Sequence, residues 1–160
     1  GGSFSVIACH ESSNTYKPSP IVSKMLLEEN NLNSLDKFRC FAEETKKAKD
    51  KIKEFFVKSK QEKKVILGIG ASTKGNVILQ YCNLDQHDLR FIGDVNQDKF
   101  NSYTPGSNIK IISEEEMLKL DYDYLMILPW HFKDFFIQNK IFKGKKLFFP
   151  LPKLEIIEVK

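Results

Sequence analysis

Glycine, hydroxyl and lysine side chains crowd one short stretch of the chain, Gly68-Ile69-Gly70-Ala71-Ser72-Thr73-Lys74-Gly75-Asn76. Gly68 and Gly70 let a backbone turn tightly and come close to a ligand, while amides opening the next helix point toward bound anion. Ser72, Thr73 and Lys74 add hydroxyl donors and a positive charge, so in chemical terms the stretch is a phosphate cradle. A structural glycine turn has the same composition. A dinucleotide fingerprint is spaced GxGxxG, but Gly75 comes two positions late, and a P-loop lysine follows its second Gly, whereas Lys74 precedes Gly75. Further along, Asp94 lies about twenty residues beyond Gly70, where an acidic residue holds ribose hydroxyls in nucleotide-binding folds. A turn-capping Asp fits that place as well. Trp130 and His131, in Leu128-Pro129-Trp130-His131-Phe132, could stack on a base or sugar, or pack and cap a helix. His10-Glu11 cannot act jointly on a strand, because adjacent side chains point to opposite faces. His87 sits in a polar loop. No group in the chain suits a catalytic base, and no catalytic residue is assigned.

The elements that must position these residues follow from periodicity. Residues 1–10 alternate small and apolar side chains as an extended strand does, and Pro18 and Pro20 then break regular structure. Leu35, Phe38, Phe41, Thr45, Ala48, Ile52 and Phe55 recur every three or four positions, so the spacing predicts a long amphipathic helix over 34–60. Its opposite face is mostly Lys and Glu and reads as a solvated surface. Beyond it strands and helices alternate: strand 64–68, helix 73–83, strand 89–94, strand 109–112, a helix ending near Leu120, strand 124–128, helix 132–139 and strand 146–149. Ser113 with Glu116 three residues on is a capping box for the helix ending near Leu120. The tail 154–159 has the pattern of one more strand after Pro150 and Pro152. Continuous apolar strands alternating with helices specify an α/β, Rossmann-like three-layer domain with a mainly parallel sheet. Ligands in such sheets bind beyond the carboxyl ends of the strands, where the 68–76 turn, Asp94, Trp130 and His131 fall. The expected division is an N-terminal strand and linker over 1–33, a remnant of an upstream domain, and a Rossmann-like domain over 34–160.

Composition narrows the function classes. The 160 residues suffice for one well-buried domain, and 41% hydrophobic with 29% charged is ordinary for a globular chain. No apolar run is long enough to span a bilayer and no signal segment opens the chain, so a cytoplasmic protein without a membrane partner is expected. The net charge of +4 is carried by lysine: only Arg39 and Arg90 of the 25 basic residues are Arg. Phosphate and base readers lean on Arg, so no nucleic-acid partner is expected. Cys9, Cys40 and Cys82 are widely spaced, with no metal-ligand pattern, and read as reduced structural thiols.

Several motifs in order, Gly70-Ala71-Ser72-Thr73-Lys74-Gly75-Asn76 with Gln80-Tyr81-Cys82, Tyr103-Thr104-Pro105-Gly106, Ile112-Ser113-Glu114-Glu115-Glu116-Met117, Leu128-Pro129-Trp130-His131-Phe132 and Phe149-Pro150-Leu151-Pro152, resemble the C-terminal domain of the sugar C-methyltransferase family. The resemblance covers essentially the whole chain. It implies a carbon methylation of a keto-deoxysugar on a nucleotide diphosphate carrier, with S-adenosylmethionine, structural zinc and a Tyr-x-Glu-His catalytic motif all in domains N-terminal to this one. No such motif occurs here, and this domain is expected to bind no cofactor. Residues 1–4 resemble the end of the preceding domain. The implied partners are the nucleotide diphosphate sugar and the upstream methyltransferase domain. Residues 4–9, an edge without a neighbour, would either pair with a second copy to give a homodimer or fold back. The implied pathway is polysaccharide or antibiotic sugar biosynthesis. Two other readings fit the residues: a stand-alone Rossmann-like nucleotide-binding protein, against which Leu67 before the first Gly and the late Gly75 weigh, and a non-catalytic structural or dimerisation domain.

Overall fold

A computed structural model of the protein describes residues 5–160. Two compact units divide the chain, Gly1–Thr45 and Lys46–Lys160. In the first unit the expected N-terminal strand is corrected: residues 5–10 belong to no strand, and residues 1–4 lie outside the described part. A strand persists only as a member of a ladder, and an alternating pattern cannot supply the neighbour. The expected break at the prolines is also corrected. Helix α1 spans Pro20–Glu29, with Ser19 as its N-cap accepting from the Ile21 amide at 3.4 Å and Pro20 in the first turn. Proline is favoured there because its missing N–H has no intrahelical partner anyway, so Pro20 starts a helix and does not prevent one.

Helix α2, Leu35–Gln61, matches the expected long helix, with Asp36 in its first turn and Lys58 and Lys60 in its last, both agreeing with the helix dipole. In the second unit strands and helices then alternate: β1 Ile66–Ile69, α3 Thr73–Cys82, β2 Phe91–Asp94, β3 Lys110–Ser113, α4 Glu114–Leu118, β4 Tyr124–Ile127, α5 Lys133–Gln138, β5 Lys146–Phe149 and β6 Glu155–Glu158. They form one six-stranded sheet in the order β3-β2-β1-β4-β5-β6. Every pairing is parallel except β5 with β6. Those two are joined by a short connection, and a short connection can only return a strand antiparallel.

Strand residues alternate between two apolar layers. Ile66, Ile92, Met126 and Phe148 join Ile52 and Phe56 of α2 and Ile78 and Leu79 of α3. Leu67, Ile69, Leu125, Ile127, Leu147 and Phe149 join Met117 of α4 and Phe136 of α5. Strands buried on both faces explain their unbroken apolar runs. Phe55 stacks on Phe148 with ring centroids 4.4 Å apart, seating α2 on the sheet, and each such ring contributes about 2–3 kcal/mol by burial. Cys82 is a core thiol whose pKa burial pushes up, whereas Cys9 and Cys40 are exposed. Among the described residues no helix is long and apolar enough to cross a membrane.

Candidate functional site

Strand order reverses direction at β1. From β1 the chain proceeds through α3 to β2 and β3 on one side, then crosses to β4 on the other, and open α/β sheets take their ligands at such a switch, beyond the carboxyl ends of the strands, here β1 and β4. The turn from β1 into α3 forms one wall of this place. Gly70 has φ +80°, and a Cβ there would stand 2.7 Å from Cδ of Pro129. A Cβ on Gly75 would stand 2.7 Å from Cβ of Leu128, and one on Gly68 would stand 2.8 Å from Cγ1 of Ile92. Packing therefore demands all three glycines: Gly70 and Gly75 let the first turn of α3 rest directly on the segment that follows β4, and Gly68 makes room within the sheet for Ile92 of β2. The glycine at position 70 is also demanded by its backbone angle.

The amides of the turn are largely used within it. Gly70 donates to the Gly93 carbonyl at 2.7 Å, Ser72 to the Gly70 carbonyl at 2.7 Å, and Asn76 to the Ser72 carbonyl at 3.0 Å. Ser72 is the N-cap of α3, its Oγ accepting from the Gly75 amide at 3.0 Å. The amides of Thr73 and Lys74 have no partner among the described residues, both side chains are exposed, and no acidic residue occupies this first turn. Two free amides thus stand at the positive end of a helix dipole, in a turn that also carries the exposed Thr73 and Lys74 side chains.

Asp94 ends β2 and is buried. Its Oδ2 accepts from the Ala71 amide at 2.8 Å and from Lys99 Nζ at 3.0 Å, and its Oδ1 from the Asn96 amide at 2.8 Å. Lys99 Nζ also donates to the Ala71 carbonyl at 3.0 Å. Burial opposes ionisation of Asp94, but the Asn96 amide, Lys99 and the Ala71 amide outweigh it and hold the carboxyl below its usual range. The residue ties the β1 turn to β2. Glu114, opening α4 beside Gly93, is the opposite case: burial, and then the Asp94 charge, push its pKa up.

Trp130 and His131 begin a single turn of 3-10 helix, Trp130–Phe132, after β4. Trp130 is half-buried and packs against both apolar layers, which is why an aromatic stands there. His131 lies edge-on to it, centroids 5.7 Å apart, and 4.3 Å from the Phe132 ring. Burial, and then the charge of Lys74, lower the His131 pKa. Its Nδ1 is buried without a partner in the described structure, and so is Oδ1 of Asn76. The ten residues singled out in the sequence therefore gather at one end of the sheet, with Asp94 turned inward.

The sequence profile of the C-methyltransferase C-terminal domain family matches residues 1–152. The chain belongs to that family. It is also similar to the C-methyltransferase NovU of Streptomyces niveus, 29% identical over 162 residues, an alignment that takes in 98% of this chain and 38% of the relative. This chain thus spans well under half the length of that relative. Within this C-methyltransferase C-terminal domain, Lys99 and Glu114 were missed by sequence reasoning. Lys99 is one lysine among many and only its salt bridge marks it, whereas Glu114 stood in the sequence only as a member of the Ser113-Glu114-Glu115-Glu116 run and not as a partly buried carboxyl beside Asp94. Among the described residues no group of three or more His, Cys, Asp or Glu side chains could hold a metal ion.

Proposed function

We propose that this chain is the substrate-side domain of an S-adenosylmethionine-dependent sugar C-methyltransferase and receives the nucleotide diphosphate of a keto-deoxysugar at the N-terminus of α3. The observation that carries the reading is the pair of free amides at Thr73 and Lys74 beside the Lys74 ammonium, at the switch point of the sheet. A diphosphate would satisfy those donors, and the unpartnered atoms of Asn76 and His131 lie on the same two segments to meet a neighbouring polar group of the ligand.

Carbon methylation of a keto sugar requires a base for the α-proton, stabilisation of the resulting enolate and a methyl sulfonium donor. The residues here do not fit the donor. Asp94, which would hold ribose hydroxyls, spends both oxygens on backbone amides and Lys99, and the Gly70 turn is filled by Pro129. This supports assigning S-adenosylmethionine, the base and the structural zinc to the part of the enzyme outside this chain. Internal use of most of the turn's amides favours a second reading, in which the domain is purely structural.

Titration calorimetry on the full-length enzyme with a thymidine diphosphate sugar, S-adenosylmethionine and NAD separates the readings. A charge-assisted contact is worth about 1.5–3 kcal/mol, so Lys74→Ala is expected to weaken sugar-nucleotide binding by about tenfold or more and to leave S-adenosylmethionine affinity unchanged. Unchanged sugar-nucleotide affinity in that variant would leave the structural reading standing.

A further inference from the structure

The apolar stripe of α2 changes its surroundings half-way along the helix. In the second half Ile52 and Phe56 are 2% and 5% exposed, packed on the sheet. In the first half Leu35, Phe38 and Phe41, at the same helical spacing, are 73%, 63% and 72% exposed. Helix α1 repeats the pattern: Ile21, Val22 and Leu26 fall on one side of it by spacing, all are exposed, and the helix buries no residue. Single exposed apolar residues are ordinary, but two successive helices that each present an apolar side to water mark an interaction surface. The sheet does not need these side chains, because both its faces are already filled by α2's second half, α3, α4 and α5.

We propose that the exposed apolar sides of α1 and of the first half of α2 are the docking surface for the methyl-transfer portion of the same polypeptide. This rests on the reading of the chain as one part of a longer methyltransferase. What commits the surface to that occupant is length and direction. The matching relative extends well beyond the aligned 38%, and the family match is to a C-terminal domain, so the remainder lies on the N-terminal side, next to which α1 and α2 stand in the chain. An amphipathic helix that continues one apolar stripe from its own core into a second core couples the two units without any new motif.

The test uses the full-length enzyme with Phe38 replaced by the photo-crosslinker p-benzoylphenylalanine, followed by peptide mapping. A crosslink to a peptide preceding Gly1, within a monomeric polypeptide, is the expected result. A crosslink into residues 46–160, a crosslink to a second copy, or none at all overturns the proposal. Hydroxyl-radical footprinting of the unmodified enzyme guards against a misfolded variant: labelling of Phe38 and Phe41 is expected to rise several-fold on denaturation, and an unchanged rate overturns the proposal. Methyl transfer measured on the same unmodified enzyme keeps the two readings apart. Transfer without the crosslink removes the docking surface alone, and the crosslink without transfer removes the methyltransferase reading alone.

Discussion

Two strand-to-helix turns lie at the same end of the sheet and use the same cap, yet they present opposite chemistry. Ser72 caps α3 and Ser113 caps α4, each accepting from the amide three residues on, at 3.0 and 3.1 Å. At α4 the box is closed in return, with Glu116 Oε2 accepting from the Ser113 amide at 3.3 Å, and Glu114, Glu115 and Glu116 fill the first turn. The positive end of that helix is answered by its own carboxylates. At α3 the first turn holds Lys74 and no acid, and two amides stay open. A helix terminus becomes a place for an external anion only when the chain withholds its own. The α3 turn is also held from outside by Asp94, a tether α4 lacks.

The tether gives the largest expected effect. Asp94→Ala leaves the Ala71 and Asn96 amides without their acceptor and Lys99 with the Ala71 carbonyl but no carboxylate. About 2–3 kcal/mol of stability is expected to be lost at neutral pH, with the ion-pair share discounted because Lys99 is partly exposed. Urea denaturation measures it. The folded pKa of Asp94 is depressed, so its contribution is present above the ordinary carboxyl value of 3.8 and is lost as pH falls through the lower folded value. The gap between wild type and variant should therefore narrow below about pH 3.8, and a gap that holds constant into acid would deny the charge its role.

A smaller effect, about 1 kcal/mol, is expected for Ser113→Ala, which opens the capping box of α4. Thermal melting should register it, and if the α3 turn alone receives the sugar nucleotide, as proposed, affinity for that ligand stays at the wild-type value. Loss of affinity in this variant would bring the α4 turn into the proposed site. Smallest in stability and most pointed is Lys74→Glu, which gives α3 the self-answered terminus of α4. A gain of about 0.5 kcal/mol is expected from the dipole, together with loss of anion binding. A variant that is stabilised and still binds would break the comparison.

Much of this was legible locally. Ser113 with Glu116 announced the start of α4, the spacing of Leu35 to Phe55 announced α2, and the turn between Gly68 and Asn76 was placed at the mouth of the sheet by strand periodicity alone. Chain-local hydrogen bonds and single-face burial leave such marks because they involve residues a few positions apart. The N-terminal alternation and the prolines misled for the same reason. A strand needs a partner that the segment does not contain, and Pro18 and Pro20 read as breakers only until Ser19 is seen to cap a helix that Pro20 begins.

The sequence by itself determined the α/β alternation, the capping box of α4 and the family to which the chain belongs. Tertiary structure decided what those residues face. Asp94 has the right place to hold a ribose, and the register that sets β2 beside β1 turns its carboxylate onto the Ala71 amide. Gly70 and Gly75 look like room for a ligand, and the β1–β4 pairing fills that room with Pro129 and Leu128. Spacing along the chain records which groups are available. Which of them remain free for a ligand depends on side chains brought together from more than twenty residues away, and that is settled only when the strands take their order.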